Sequence, residues 1–123
     1  MSKIIIVEDD PMIAEIYQKK FSDSGFEVFM ATNGDQALNL AKVQKPDVIM
    51  TDLIMSRMDG FQLIEALRSG EEYDPNIKII VTSNLSQTED REKAEKLGAN
   101  GFVAKSEYSP SDLVKEVQRF ISK

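Results

Sequence analysis

Short runs of branched apolar residues alternate with helix-like patterns along the chain, from Lys3 to the last apolar positions at Phe120 and Ile121. Five such runs are separated by stretches in which apolar residues recur every three or four positions. Runs that are apolar on both faces are typical of a parallel sheet covered by helices on both sides. Each helix supplies the crossover that parallel strands need. The sequence therefore predicts one doubly wound α/β domain over residues 1–123.

Caps and chain-breaking residues set the limits of these elements. The predicted strands are Lys3–Val7, Phe26–Ala31, Asp47–Thr51, Ile77–Thr82 and Gly101–Ala104. We expect Asp10 to cap the first helix at Pro11, Asn33-Gly34 to turn the chain before the second, and Ser86 with Glu89 to form a capping box on the fourth. The predicted apolar face of the first helix contains Ile13, Ile16, Tyr17 and Phe21.

The composition excludes several kinds of chemistry. The chain has no cysteine and no histidine, which removes thiol chemistry, histidine acid–base catalysis and imidazole metal sites. Its net charge of −6 argues against a direct nucleic-acid partner, because such affinity comes mostly from neutralising phosphates. The apolar runs are too short to cross a membrane, and Glu8 and Asp9 interrupt the first before it resembles a secretory signal. We expect a cytoplasmic protein.

Polar residues follow four of the five predicted strands. They are Glu8-Asp9-Asp10 after the first, Asp52 after the third, Thr82-Ser83-Asn84 after the fourth and Lys105 after the fifth. In a parallel sheet these ends meet at one edge, where ligands of such folds bind. Two like charges 4 Å apart repel by about 4 kcal/mol at an effective dielectric near 20. A divalent cation reverses that term, and carboxylate oxygens suit magnesium.

This order of residues resembles the receiver domain of bacterial two-component response regulators, over essentially the whole chain. The resemblance rests on Glu8-Asp9, on Asp52 followed by Met55, Met58, Asp59 and Gly60, on Thr82-Ser83, and on Lys105. It implies a single three-layer, flavodoxin-like (βα)5 domain with the parallel strand order 2-1-3-4-5. The whole constellation carries this inference, since each motif alone is common.

The resemblance also implies a role for each site residue. Asp52 would be the phosphoacceptor, which takes a phosphoryl group from a phosphohistidine on a sensor histidine kinase or phosphotransfer protein. Asp9, Asp52 and the backbone oxygen of Ile54 would bind Mg²⁺, with Mn²⁺ as an alternative ion. Glu8 would assist directly or through water. Lys105 would pair with the acceptor and then with the phosphoryl group.

A conformational switch is implied as well. Thr82 would donate its hydroxyl to a phosphoryl oxygen, and Phe102 would be the aromatic residue whose rotamer follows Thr82. Ile54, Ser83 and Asn84 flank the expected site and would control access to the phosphate. The output surface would be the fourth helix, fifth strand and fifth helix, offered to a second copy of the chain or to an output protein.

Two departures from the family pattern leave the chemistry intact. Serine replaces proline at Ser56 and at Ser106. The second replacement leaves the isomer of the Lys105–Ser106 bond open, because the usual Lys-Pro bond can be cis.

Three other functions fit the sequence less well. A magnesium-dependent phosphohydrolase with an aspartyl nucleophile usually has a second acid two residues later, where this chain has Ile54. A degenerate receiver-like interaction module that never gains phosphate is disfavoured by the presence of Asp9, Asp52, Thr82 and Lys105. A nucleotide-binding domain is disfavoured because no glycine-rich phosphate loop is present.

Overall fold

Five parallel strands form one sheet in the order β2-β1-β3-β4-β5. The computed structural model describes residues 2–55, 58–83 and 88–122. The strands are β1 (Lys3–Val7), β2 (Glu27–Ala31), β3 (Val48–Asp52), β4 (Lys78–Ser83) and β5 (Gly101–Ala104). The helices are α1 (Pro11–Asp23), α2 (Gly34–Gln44), α3 (Gly60–Ser69), α4 (Thr88–Leu97) and α5 (Pro110–Ile121). The predicted flavodoxin-like fold and its strand order are confirmed.

The sheet separates two hydrophobic cores, because successive strand residues point to opposite faces. Ile4 and Ile6 of β1 pack with α1 and α5 on one face. Ile5 and Val7 pack with α2, α3 and α4 on the other. Burying both faces explains why the strand interiors are apolar throughout rather than alternating.

The strand register brings the predicted polar residues to one edge of the sheet. Asp52 at the end of β3 pairs with Thr82 on β4. Ser83 pairs with Ala104, the residue before Lys105. Val7, the last residue of β1, pairs with Thr51 on β3, so Glu8 follows β1 beside the end of β3. The parallel arrangement therefore places residues from β1, β3, β4 and β5 within one small region.

Side-chain caps begin α1, α2, α3 and α5. Asp10 caps α1 as predicted, accepting hydrogen bonds from the amides of Met12 and Ile13. Asn33 is more than a turn residue, because its side chain accepts the amide of Gln36 and caps α2. Reciprocal capping boxes of Asp59 with Gln62 and of Ser109 with Asp112 begin α3 and α5.

The structure differs from the sequence-based expectations in a few places. Ile16 was expected on the apolar face of α1 but is 50% exposed, because Tyr17 and Phe21 already fill the core beneath that helix. The short 3-10 turn Lys105–Glu107, which follows β5, was not predicted. The predicted capping residue Ser86 and the access residue Asn84 lie outside the described residues.

Gly60 allows the start of α3 to approach β3 closely. A Cβ atom at this position would lie 2.5 Å from the backbone oxygen of Asp52. Gly34 occupies the same position of α2, where a Cβ would lie 2.7 Å from Sδ and 2.8 Å from Cβ of Met58. The two helices therefore need glycine for different reasons, one against the backbone at the end of β3 and the other against a residue of the loop before α3.

We predict that Gly60→Ala lowers the free energy of unfolding by about 1–3 kcal/mol, because the backbone at Asp52 has to move. Gly34→Ala is the matched control, since both changes place alanine at the first residue of a helix. It should cost less, because Met58 belongs to the loop before α3, whose backbone can shift more easily than a strand of the sheet. Urea unfolding of both variants measures the difference, and equal losses would contradict this explanation.

Candidate functional site

The Lys105 side chain joins two carboxylates at the carboxyl edge of the sheet. Its Nζ lies 2.7 Å from Glu8 Oε1 and 2.8 Å from Asp52 Oδ2. The side chains of Lys105, Glu8 and Asp52 are only 10%, 4% and 16% exposed. Charges this far from water are stable only when they are paired. The structure thus brings together three of the predicted site residues, contributed by the ends of β1, β3 and β5.

Backbone amides fix the orientation of the Asp52 carboxylate. Its Oδ1 atom accepts hydrogen bonds from the amides of Leu53, at 2.7 Å, and Ile54, at 3.3 Å. Its other oxygen contacts Lys105. Because one oxygen is held by the main chain and the other by an ammonium group, the carboxylate has little freedom to rotate.

Glu8 is held as firmly as Asp52. Its Oε2 accepts the amide of Asp10 at 3.2 Å, while Oε1 accepts from Lys105. Its backbone amide donates to the carbonyl of Ala31 on β2 at 3.0 Å. The side chain therefore faces inward towards Lys105.

Asp9 and Asp10, by contrast, are exposed. Asp10 is engaged as the helix cap, as predicted. Asp9 lies on the rim of an open cleft that is also lined by Glu8 and Thr32. This cleft gives Asp9 direct access to solvent and to dissolved ions.

The described residues contain no group of three or more acidic side chains arranged to hold a metal ion. Glu8 and Asp52 both contact Lys105 Nζ, so the predicted set of Glu8, Asp9 and Asp52 is not assembled as a metal site. The donor atoms nevertheless fit magnesium in kind, since carboxylate and carbonyl oxygens are its preferred ligands. Of the three acids, Asp9 is the exposed one and is the most open to a dissolved ion.

Competing effects act on the protonation of Lys105. Burial by itself lowers the pKa of its ammonium group. Hydrogen bonds to Asp52 and Glu8, together with the charges of those carboxylates, outweigh burial and raise the pKa above its ordinary value of 10.5. Lys105 is therefore positively charged at neutral pH despite its limited contact with water.

Thr82 and Ser83 are buried at the end of β4. The Thr82 hydroxyl lies 3.5 Å from the carbonyl of Thr51, at the long limit of a hydrogen bond. This weak contact leaves the hydroxyl able to donate to a stronger acceptor near Asp52, its neighbour in the register.

The other predicted residues surround this centre. Ile54 is 64% exposed at its mouth. Phe102 lies on β5 opposite Val81 and is partly buried against the core beneath α2, α3 and α4. No cis peptide bond occurs in the part of the chain that the structure describes, so the Lys105–Ser106 bond is trans.

The sequence predicted Tyr17 only as a core residue, but the charges of Lys105, Glu8 and Asp52 also affect the pKa of its phenol. Burial raises the pKa of Tyr17; the Lys105 ammonium acts in the opposite direction, and the charges of Glu8 and Asp52 raise it further. The available signal was its place on the inward face of α1, the helix that begins directly after the acidic residues of β1.

Comparisons with known proteins agree on one family. The model of the response regulator receiver domain matches residues 4–118. A probable transcriptional regulator, ycf29 of Porphyra purpurea, is 33% identical over 118 residues, which are 96% of this chain and 56% of that protein. The chain spans about half the length of the curated relatives it matches.

Solved structures agree as well. Chemotaxis response regulator CheY4 of Vibrio cholerae is 30% identical, with a TM-score of 0.89 over 98% of both chains. The receiver domain of the sensor histidine kinase PA1611 from Pseudomonas aeruginosa PAO1 is 26% identical, with a TM-score of 0.88 over 99% of this chain and 98% of that one. That structure has a magnesium ion coordinated in its active site cleft. Separately, no helix in the described parts of this chain is long and apolar enough to cross a membrane.

We predict that Lys105→Met lowers the free energy of unfolding by about 1–3 kcal/mol at neutral pH, because Glu8 and Asp52 lose their cation. Folding raises the pKa of Lys105, so its stabilising contribution is complete below pH 10.5 and decreases as the pH rises through the raised value. Urea unfolding of the parent and the variant from neutral pH to about pH 11 measures the difference.

The matched control is Lys115→Met, which removes an exposed ammonium group from α5. It corrects for the change in net charge and for the general effect of alkaline pH. If the difference in the free energy of unfolding between the parent and Lys105→Met stays constant over the whole pH range, the raised pKa assigned to Lys105 is contradicted.

Proposed function

Because the chain belongs to the response regulator receiver family, we propose that it is a phosphoacceptor signalling domain in which Asp52 is the residue that is phosphorylated. The observation that carries this proposal is the contact of Lys105 with both Asp52 and Glu8, which assembles a nucleophilic carboxylate, a cation and a further acid at one edge of the sheet. The proposed activity is limited to the domain's own phosphorylation and dephosphorylation.

The proposed reaction is a phosphoryl transfer to a carboxylate. An oxygen of Asp52 forms a bond to phosphorus while the phosphorus–nitrogen bond of a phosphohistidine breaks, and the electron pair of that bond remains on the imidazole. The amides of Leu53 and Ile54 hold the nucleophile in a fixed orientation, which lowers the entropic cost of reaching the reactive geometry. Lys105 offsets negative charge on the transferred group.

We propose that Asp9, Asp52 and the Ile54 carbonyl bind Mg²⁺, and that Glu8 assists once Lys105 has moved towards the phosphoryl group. When bound, the ion supplies positive charge that offsets the charge on the phosphoryl oxygens. The exposure of Asp9 leaves its carboxylate open to a dissolved ion, which supports its place in this ligand set. Mn²⁺ suits the same oxygen donors.

The proposed switch begins at Thr82. Its hydroxyl makes only a weak contact with Thr51, so a phosphoryl oxygen on Asp52 would be a better acceptor. Movement of Thr82 would open space beside the neighbouring strand, where Phe102 lies, and allow that ring to turn inward. The surface formed by α4, β5 and α5 would then change shape, and a second copy of the chain or an output protein would bind to the altered surface. The phosphoryl group would come from a histidine kinase or phosphotransfer protein.

We predict that intact-protein mass spectrometry after incubation with acetyl phosphate detects one added phosphoryl group, and that this gain requires Mg²⁺ and Asp52. Asp52→Asn should abolish it, because an amide is a poor nucleophile. The matched control is Asp47→Asn, an exposed acid next to the opposite end of β3, which should be phosphorylated like the parent.

Absence of any gain in the folded parent, both with acetyl phosphate and with a panel of phosphorylated histidine kinases, would refute the phosphoacceptor role. That result would favour the receiver-like interaction module.

We further predict that Ile54→Asn shortens the lifetime of the acyl phosphate severalfold. Ile54 is apolar and exposed at the mouth of the site, so it cannot orient an attacking water, whereas an amide can. Ile54→Leu is the control for a change in shape alone. Phosphate loss is followed after removal of the donor, and equal lifetimes in the parent and Ile54→Asn would contradict this role.

A further inference from the structure

Helix α4 is the least firmly packed helix that the structure describes. Ala94 is its one buried residue, whereas each of the other four helices buries at least two side chains. Few apolar contacts hold it to the sheet, which is the property expected of an element that moves at low cost. Charged side chains of α4 therefore contribute to holding the helix in place.

Two cations of α4 lie over aromatic rings of neighbouring elements. Lys93 Nζ is 4.3 Å from the centre of the Phe61 ring on α3. The guanidinium carbon of Arg91 is 5.9 Å from the centre of the Phe102 ring on β5. Both distances fall within the range of about 6 Å over which a cation is attracted to the face of a ring. These contacts hold α4 from two sides.

Arg91 contacts Glu95 as well as Phe102. Arg91 Nε lies 3.7 Å from Glu95 Oε1, one turn along the helix, and both side chains are about 60% exposed. An exposed ion pair of this kind contributes little stability.

Phe102 is the residue on which the proposed switch depends. It pairs with Val81, the residue immediately before Thr82, and lies partly buried between the sheet and α4. In the orientation the structure shows, called outward from here on, the ring is partly buried and its centre lies 5.9 Å from the guanidinium carbon of Arg91. A ring that turned inward, towards space vacated by Thr82, would move away from the guanidinium group and lose that contact.

We propose that Arg91 is a positioning residue that holds the Phe102 ring in its outward orientation and so opposes the switch in the unphosphorylated protein. This inference rests on the proposed function for its consequence, but the contact itself exists without phosphate. Since a cation–π contact at an exposed site contributes about 0.5–1 kcal/mol, losing it should raise the inward population of Phe102 two- to fivefold. By linkage, the affinity for a phosphoryl mimic at Asp52 should rise by the same factor.

The first experiment measures the orientation of Phe102 in the unphosphorylated protein, by NMR of a selectively labelled phenylalanine ring. Arg91→Met keeps much of the side-chain length but removes the charge, and should raise the inward population two- to fivefold. Arg91→Lys retains a cation and should restore most of the outward orientation. Lys93→Met is the matched control. It removes another cation of α4, which lies over the Phe61 ring of α3, and should leave the orientation of Phe102 unchanged.

The second experiment measures the binding of beryllofluoride, a phosphoryl mimic, in the presence of Mg²⁺. Arg91→Met should bind it two- to fivefold more tightly than the parent, and this gain should disappear when Phe102→Leu is also present. Equal effects of Arg91→Met and Lys93→Met, or an unchanged Phe102 orientation in Arg91→Met, would overturn the proposal. The NMR result decides the role of Arg91 even if Asp52 is never phosphorylated, so failure of the proposed function is a separate outcome.

Discussion

The ion pairs of Lys105 with Glu8 and Asp52 are the interactions on which the site depends. Without the ammonium group, two acids with little access to water would face each other at the end of the sheet. With it, both carboxylates are paired and hold one geometry, and the raised pKa of Lys105 reflects those contacts. A single lysine thus makes it possible to place two largely buried carboxylates at the edge of an apolar sheet.

Backbone amides also hold the Asp52 carboxylate in place. The amides of Leu53 and Ile54 bind one oxygen of Asp52, which requires the chain to turn sharply after β3. That turn brings Gly60 against the Asp52 carbonyl, where no larger residue fits. The position of Asp52 therefore depends on a residue that has no side chain and lies eight positions away in the sequence.

Much of this arrangement could be predicted from the sequence. Apolar runs with polar ends fixed the sheet and its functional edge, and the cap at Asp10 followed from local chemistry. The contact of Glu8 with Lys105, the exposure of Ile16 and the 3-10 turn after β5 could not be predicted, because each depends on side-chain packing between distant segments. The placement of Arg91 over Phe102 likewise depends on how α4 lies against β5.

The contact between Lys105 and Glu8 joins residues 97 positions apart, near opposite ends of the chain. Closing a loop of that length costs conformational entropy before the contact repays it. During synthesis, Glu8 and Asp52 leave the ribosome before the lysine that pairs with them. A chain interrupted before β5 would therefore carry both acids without their cation.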